Sequence, residues 1–111
     1  GTPLFMACQE GHLGCVRLLL AAGGAVNQAD ADGSTPLYIA CENDHLECAQ
    51  LLLEAGAAIN QANEQGATPL LIACQQGHLE CGQLLLDAGA AVSHAKVDGA
   101  TALLMACQEG H

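Results

Sequence analysis

Aromatic residues and basic residues are both scarce in this chain. Its 111 residues include one Phe, one Tyr and no Trp, and only two Lys or Arg against twelve Asp or Glu, which gives a formal net charge of −10. Proteins that bind nucleic acids need basic side chains for the phosphates, and those that bind single strands also use aromatic rings to stack on the bases. We therefore expect no nucleic-acid partner, and the same negative field disfavours anionic lipid.

Long apolar stretches are missing as well. The longest uninterrupted apolar run is only about half a dozen residues, whereas a membrane-spanning helix needs roughly 18 to 20. No basic segment followed by an apolar one opens the chain, so no targeting signal is expected. With 51% apolar and 13% charged residues, the chain is too hydrophobic to be disordered and is expected to fold.

One short phrase recurs along the whole chain at a constant interval. Thr-Pro-Leu begins at positions 2, 35 and 68, and Thr-Ala-Leu begins at position 101. Residues 34–66 and 67–99 are identical at 20 of 33 positions. A period of this length predicts a stack of similar elements, because one such unit cannot bury its own apolar face. We predict a single domain over residues 1–111, made of the units 1–33, 34–66, 67–99 and a partial unit 100–111, called units 1 to 4 below.

The first half of each unit predicts a short helix. In unit 2, Thr35 can accept a hydrogen bond from a free backbone N–H, and Pro36 suits the first helical position. The helix is predicted to run to about Asn43. Its apolar residues recur at helical spacing and form a narrow stripe that would face the stack.

The second half of each unit predicts another helix and then an extended finger. Asp44 and Glu47 have the spacing of a capping box, so we expect the second helix to begin there. The helix is predicted to reach Glu54 or Ala55 and to stop at Gly56, which can take the left-handed conformation. Residues 57–66 lack helical periodicity and contain turn-forming residues, which predicts a finger between helix pairs.

The seven cysteines occupy only two positions of the unit. The first position holds Cys8, Cys41, Cys74 and Cys107, and the second holds Cys15, Cys48 and Cys81. Equivalent cysteines would lie about 8 to 10 Å apart in a stack of helices, whereas a disulfide needs Cα atoms within about 7 Å. A bridge within one unit, such as Cys8 to Cys15, stays open. We expect reduced, buried thiols and hence a reducing intracellular compartment, cytoplasmic or nuclear.

Unit 3 contains four characteristic phrases, which are Thr-Pro-Leu at 68–70, Gly-His-Leu-Glu at 77–80, Leu-Leu-Leu at 84–86 and Ala-Gly-Ala at 88–90. With these phrases and its constant repeat interval, the chain resembles the ankyrin repeat family. The resemblance covers essentially the whole chain. It implies an all-α solenoid of stacked helix-turn-helix units joined by β-turn or hairpin-like fingers. The two ends lack the polar faces of terminal repeats, so we expect a segment of a longer array.

This chain departs from the family pattern at one position of the first helix. The family usually has His after Thr-Pro-Leu, and this chain has Phe5, Tyr38, Leu71 and Leu104 there. We expect packing to replace the hydrogen bonds that this His would make.

A Cys and a His one helical turn later, such as Cys8 and His12, recur in every unit and could offer a metal two ligands from one helical face. A structural zinc site needs four converging ligands, however, and the resemblance implies that the Cys points into the stack while the His bonds local backbone. No nucleophile elbow, phosphate loop or HExxH motif occurs, and repeated carboxylates lie in like environments. We predict no metal, no cofactor, no small-molecule substrate and no catalysis.

The residues that differ between units are the candidate contact residues. The resemblance implies that finger tips and the ends of the first helices line one concave groove that binds a partner. The candidates are Gln9, Glu10, Ala31, Asp32, Ser34, Tyr38, Glu42, Asn43, Glu64, Gln65, Ala67, Gln75, Gln76, Val97, Asp98, Ala100, Gln108 and Glu109. We predict a non-catalytic module that binds a protein or peptide, and the acidic groove favours a basic or neutral polypeptide ligand. The alternative is a structural spacer within a longer solenoid.

Overall fold

A computed structural model describes residues 2–89, which contain six α-helices in three consecutive pairs and, within that range, no β-strand. The helices are α1 (Pro3–Glu10), α2 (Leu13–Ala21), α3 (Pro36–Glu42), α4 (Leu46–Glu54), α5 (Pro69–Gln75) and α6 (Leu79–Asp87). The described part of the chain thus confirms the predicted all-α solenoid.

Each first helix begins at a threonine that precedes a proline. Thr35 Oγ1 accepts a hydrogen bond from the backbone N–H of Tyr38 at 3.2 Å, and the threonines of units 1 and 3 form the same bond. A cap of this kind stabilises a helix by about 1 kcal/mol. The predicted helix start is therefore confirmed in units 1, 2 and 3, the units that the structure describes.

The turn between the two helices of a unit contains one left-handed residue. In unit 2 this residue is Asp44, with φ 60°, and its N–H donates to the carbonyl of Cys41 at 3.4 Å. The N–H of His45 donates to the carbonyl of Ala40 at 2.8 Å, which completes a Schellman motif. The predicted capping box is wrong, because Asp44 closes α3 and the residue that precedes α4 is His45, without a side-chain cap.

The second helices end at glycine, as predicted. Gly56 has φ 92° and donates its N–H to the carbonyl of Leu53 at 3.1 Å, and the N–H of Ala57 reaches the carbonyl of Leu52 at 3.0 Å. These bonds satisfy carbonyl groups at the end of α4 that have no partner within the helix.

The helices form two layers. The hydrophobic core lies between the two layers and between neighbouring helices of each layer. Helices α1, α3 and α5 pack side by side in one layer, and α2, α4 and α6 form the other. Leu37 of α3 and Leu52 of α4 are both fully buried. Helix α3 is covered on both sides, so Pro36–Cys41 is buried throughout.

Fingers join successive helix pairs and contact one another. In the first finger the N–H of Asp30 donates to the carbonyl of Ser34 at 2.8 Å, and the second finger repeats this bond from Asn63 to Ala67 at 2.9 Å. The N–H of Glu64 donates to the carbonyl of Asp32 at 2.9 Å. This bond joins the two finger tips directly.

Candidate partner-binding surface

The finger tips present short or acidic side chains to solvent. Glu64 and Gln65 are exposed on the second finger, as is Asp32 on the first, while Ala31 and Ala67 complete the two tips. Because a backbone hydrogen bond joins the two tips, they form one continuous surface.

The ends of the first helices carry the other described candidates. Glu42 is half-buried, and the exposed members of the set are Gln9, Glu10, Asn43, Gln75 and Gln76. Asn43 Nδ2 donates to the carbonyl of Gln9 at 3.2 Å, so the helix ends of units 1 and 2 are tied together.

Two candidates are not surface residues. Ser34 is only 3% exposed and Tyr38 only 8%. The second finger folds over them, and Asn63 Nδ2 donates to Ser34 Oγ at 3.4 Å. Their expected place on the surface is therefore wrong, because the neighbouring unit covers both.

Tyr38 nevertheless reports on the electrostatics of the surface above it. Burial raises the pKa of Tyr38, the charges of Glu42 and Asp32 raise it further, and a hydrogen bond with Asn63 opposes this. The charges of a finger tip and of a helix end thus both act on the phenol of Tyr38.

Five candidates lie outside the described residues, so their placement stays a prediction. They are Val97, Asp98, Ala100, Gln108 and Glu109.

The six described cysteines are free thiols, and five of them are buried. The expectation of buried thiols is confirmed for these five and is wrong for Cys15, which is exposed. Burial raises the pKa of Cys8 to about 12, with a smaller contribution from Cys48. Cys8 of α1 therefore lies near Cys48 of α4, in the next unit.

A second pair of cysteines, Cys41 and Cys81, lies between units 2 and 3. A hydrogen bond with Cys81 and burial raise the pKa of Cys41 far above its usual range. Cys81 Sγ in turn donates to Asp44 Oδ1 at 3.5 Å. Sequence reasoning considered pairs within a unit and pairs of equivalent positions, and missed these contacts. In the sequence, Cys8 is as far from Cys48 as Cys41 is from Cys81. This equal separation could have shown that the first cysteine position of one unit is related to the second cysteine position of the next unit.

The histidines that follow the turn bond the backbone of the preceding unit. His45 Nε2 lies 3.1 Å from the carbonyl oxygen of Gln9, and His78 Nδ1 lies 2.9 Å from that of Cys41. The expectation that they bond local backbone is corrected, because the tight turn directs each ring across the interface between units.

The two histidines reach different carbonyls because the turns they cover differ. A Cβ atom added to Gly11 would lie 2.6 Å from His45 Cε1, so this ring lies directly on the glycine. The equivalent of Gly11 in unit 2 is Asp44, which has a Cβ. His78 therefore cannot take the same position and instead bonds the carbonyl one residue earlier.

Neither a metal cluster nor a membrane span is present in the described part of the chain. Within residues 2–89, no three His, Cys, Asp or Glu side chains are grouped so that they could hold a metal ion. No helix in that range is long and apolar enough to cross a bilayer.

Stacked helix pairs that pack on their sequence neighbours and are joined by fingers define a solenoid repeat protein. A family model described as ankyrin repeats (three copies) matches residues 1–63 and 55–111. The chain belongs to the ankyrin repeat family, whose members generally mediate protein–protein interaction and are typically non-enzymatic. A search of curated proteins gave no significant match.

Proposed function

We propose that the chain is a non-catalytic module that binds a protein or peptide through the groove formed by its finger tips and first-helix ends. The main observation is that the finger tips carrying the exposed side chains of Asp32 and Glu64 are joined by a hydrogen bond from the N–H of Glu64 to the carbonyl of Asp32 at 2.9 Å. The charge of Glu42, at the end of a first helix, acts with that of Asp32 to raise the pKa of Tyr38. A surface with one sign of charge attracts a partner of the opposite sign.

The partner is a basic polypeptide segment. No Lys or Arg belongs to the proposed contact set, and the one described basic residue, Arg17, lies on α2 in the other layer. The proposed contacts are Gln9, Glu10, Ala31, Asp32, Glu42, Asn43, Glu64, Gln65, Ala67, Gln75, Gln76, Val97, Asp98, Ala100, Gln108 and Glu109. Ser34 and Tyr38 support this surface from below.

Selection from a peptide library with equal numbers of basic, neutral and acidic members tests the proposal. We expect basic peptides to be enriched, and their association rates to fall severalfold as added salt shortens the Debye length below about 10 Å. Glu42→Gln with Glu64→Gln should slow association and weaken its dependence on salt. Glu54→Gln, an exposed carboxylate on α4, is the control and should leave the rates nearly unchanged. Enrichment of acidic peptides, or rates indifferent to both salt and substitution, would contradict the proposal.

A structural spacer is the second candidate function, and the side chains of the groove favour it. The residues that dominate binding energy at interfaces are usually Trp, Tyr or Arg. Tyr38, the one such residue among the candidates, is buried, and Ala31 and Ala67 offer little contact area. If the chain is a spacer, substitutions in the groove, made within a longer array, should not change which proteins the array binds.

We also propose that the protein works in a reducing intracellular compartment, cytoplasmic or nuclear. Cys41 and Cys81 are both buried, where a thiol acts as a small apolar group, and this supports a compartment that keeps thiols reduced. Trapping thiols with an alkylating reagent in intact cells, followed by mass spectrometry, should find both cysteines alkylated. A disulfide between them would oppose the proposal.

A further inference from the structure

A cleft lies between units 1 and 2, at the turns that join their first helices to their second helices. Its volume is about 550 Å³, within the range of about 300 to 1,000 Å³ that is usual for binding pockets. Unit 1 contributes Gly11 and Leu13 to its wall, and unit 2 contributes the turn before α4 and the start of that helix. None of the residues that line this cleft, called the turn cleft below, belongs to the contact set proposed for the groove.

The wall of the turn cleft combines apolar surface with negative charge. Leu13 and Leu46 are half-buried, one from each unit, and the side chains of Asp44 and Glu47 are exposed carboxylates. None of the lining residues is Lys or Arg. An arginine side chain suits such a wall, because its methylene stem packs on apolar surface while its guanidinium group donates hydrogen bonds to carboxylates.

Other small ligands suit the turn cleft less well. Although Asp44, His45 and Glu47 all line it, no three His, Cys, Asp or Glu side chains within residues 2–89 are grouped so that they could hold a metal ion. An anion would meet two carboxylates of its own sign. The ammonium of lysine is more strongly hydrated than a guanidinium group, so it leaves water less readily for a partly apolar wall.

Asp44 gives this turn a charge that the turns of units 1 and 3 lack. The equivalent residues there are Gly11 and Gly77, and all three residues have a positive φ, which is 60° at Asp44. Glycine takes this conformation without strain, whereas a residue with a side chain does not, so its presence suggests that the side chain has a role. Asp44 Oδ1 accepts one hydrogen bond, from Cys81 Sγ at 3.5 Å. A carboxylate can accept about four, so a ligand can still bind to it.

The turn cleft adjoins the groove. Asn43 and His45 precede and follow Asp44, and both side chains bond to the carbonyl oxygen of Gln9, at 3.2 Å and 3.1 Å. Asn43 and Gln9 belong to the proposed contact set, whereas His45 lines the turn cleft. A polypeptide that lies along the groove can therefore place one side chain in the cleft.

We propose that the turn cleft binds the guanidinium group of an arginine side chain, which belongs to the basic segment bound in the groove. Asp44 and Glu47 accept its hydrogen bonds, and Leu13 and Leu46 pack on its stem. The proposal rests on the proposed function for the identity of the partner alone, because a single blocked arginine tests the cleft by itself.

Titration with N-acetyl-arginine amide, followed by NMR of the backbone amides of the isotope-labelled protein, tests the proposal. The signals of Gly11, His45 and Glu47 should shift along one saturable curve. N-acetyl-citrulline amide is the matched ligand control, because it has nearly the same shape and no charge. It should bind about fivefold more weakly, since it lacks the attraction to the carboxylates.

Variants of the protein locate the binding site. Asp44→Gly and Glu47→Gln should each weaken binding of N-acetyl-arginine amide about two- to fivefold. Asp44→Gly installs the residue that units 1 and 3 carry at this position, so the turn should keep its conformation, which circular dichroism checks. Glu54→Gln, at the other end of α4, is the matched control and should leave binding nearly unchanged. Glu42→Gln with Glu64→Gln, in the groove, should also leave it nearly unchanged.

Three results would overturn the proposal. The first is the absence of saturable shifts at Gly11, His45 and Glu47 with an excess of the arginine probe. The second is equal binding of the arginine and citrulline probes, and the third is binding that Asp44→Gly and Glu47→Gln leave unchanged. Shifts confined to the finger tips would support the groove and contradict the cleft. Saturable shifts at the cleft, together with no enrichment of basic peptides in the library selection, would support the cleft and contradict the function proposed for the groove.

Discussion

His45 donates a hydrogen bond from Nε2 to the carbonyl oxygen of Gln9 at 3.1 Å, so a side chain of unit 2 completes the last turn of a helix in unit 1. Carbonyl groups in the last turn of a helix have no partner within the helix. Asn43 Nδ2 donates to the same oxygen at 3.2 Å. The end of α1 is thus satisfied by the next unit.

His45→Ala should lower the free energy of unfolding by about 0.5 to 1.5 kcal/mol, because it removes this hydrogen bond. Urea denaturation followed by circular dichroism measures the change. His12→Ala is the control, since His12 holds the same position in unit 1 but is exposed, and its cost should stay within about 0.5 kcal/mol. Equal costs at the two positions would show that the bond between units contributes nothing.

Gly11→Ala should destabilise the protein in two ways. Gly11 has φ 74°, a region that costs a residue with a side chain about 1 to 2 kcal/mol. The new Cβ would also displace the ring of His45, 2.6 Å away. Gly56→Ala isolates the first effect, because φ there is 92° and nothing lies within 4 Å of the added atom. Thermal unfolding should show the larger loss for Gly11→Ala, and an equal loss would refute the role given to His45.

Leu52→Ala should cost more than Leu19→Ala. Leu52 is fully buried in the middle unit, so its truncation leaves a cavity and should cost about 2 to 5 kcal/mol. Leu19 is half-buried in unit 1, so the surrounding water can fill part of the space. Chemical denaturation of both variants measures the two losses in the free energy of unfolding. Equal costs would argue against stability that arises from contacts between neighbouring units.

The stability of the protein should fall as the pH rises above about 9. The thiol of Cys8 has its pKa raised from 9.0 to about 12 by burial, so between these values the unfolded state releases a proton that the folded state keeps. The free energy of unfolding then decreases by at most about 1.4 kcal/mol per pH unit for each such thiol. Denaturation at several pH values should show this slope, and Cys8→Ala should make it shallower. If Cys8→Ala leaves the change of unfolding free energy with pH the same, other titrating groups cause the loss of stability.

Features set by neighbouring residues in the sequence were predictable. Thr35 caps α3 because the geometry of a helix start needs only the residues that immediately follow it, and Gly56 ends α4 because only the local backbone conformation matters there. The constant repeat period extended each such conclusion to every unit. For this reason the fold followed from the sequence.

Features that depend on another unit were not predictable in the same way. Ser34 and Tyr38 looked like surface positions, but the following finger covers them. Cys15 and Cys48 occupy the same position of the repeat. Cys48 is buried because a preceding unit covers it, and Cys15 is exposed.

The turn and the acidic surface show the same limit. Asp44 has the spacing of a helix start, and only the folded turn shows that it closes the preceding helix. The acidic composition of the candidate residues was predictable, whereas the joint effect of Asp32 and Glu42 on the pKa of Tyr38 required the packed structure.

The bonds from His45 to Gln9 and from His78 to Cys41 all point one way, from each unit back to the one before it. Each described unit after the first therefore supplies a histidine that bonds a carbonyl group at the end of the first helix of the unit before it. Removing the last unit leaves carbonyl oxygens of its predecessor without these partners, whereas removing the first unit leaves the histidine N–H of its successor without one and uncovers apolar positions such as that of Cys48. The hydrogen bonds between units therefore have a direction even though the units are nearly alike.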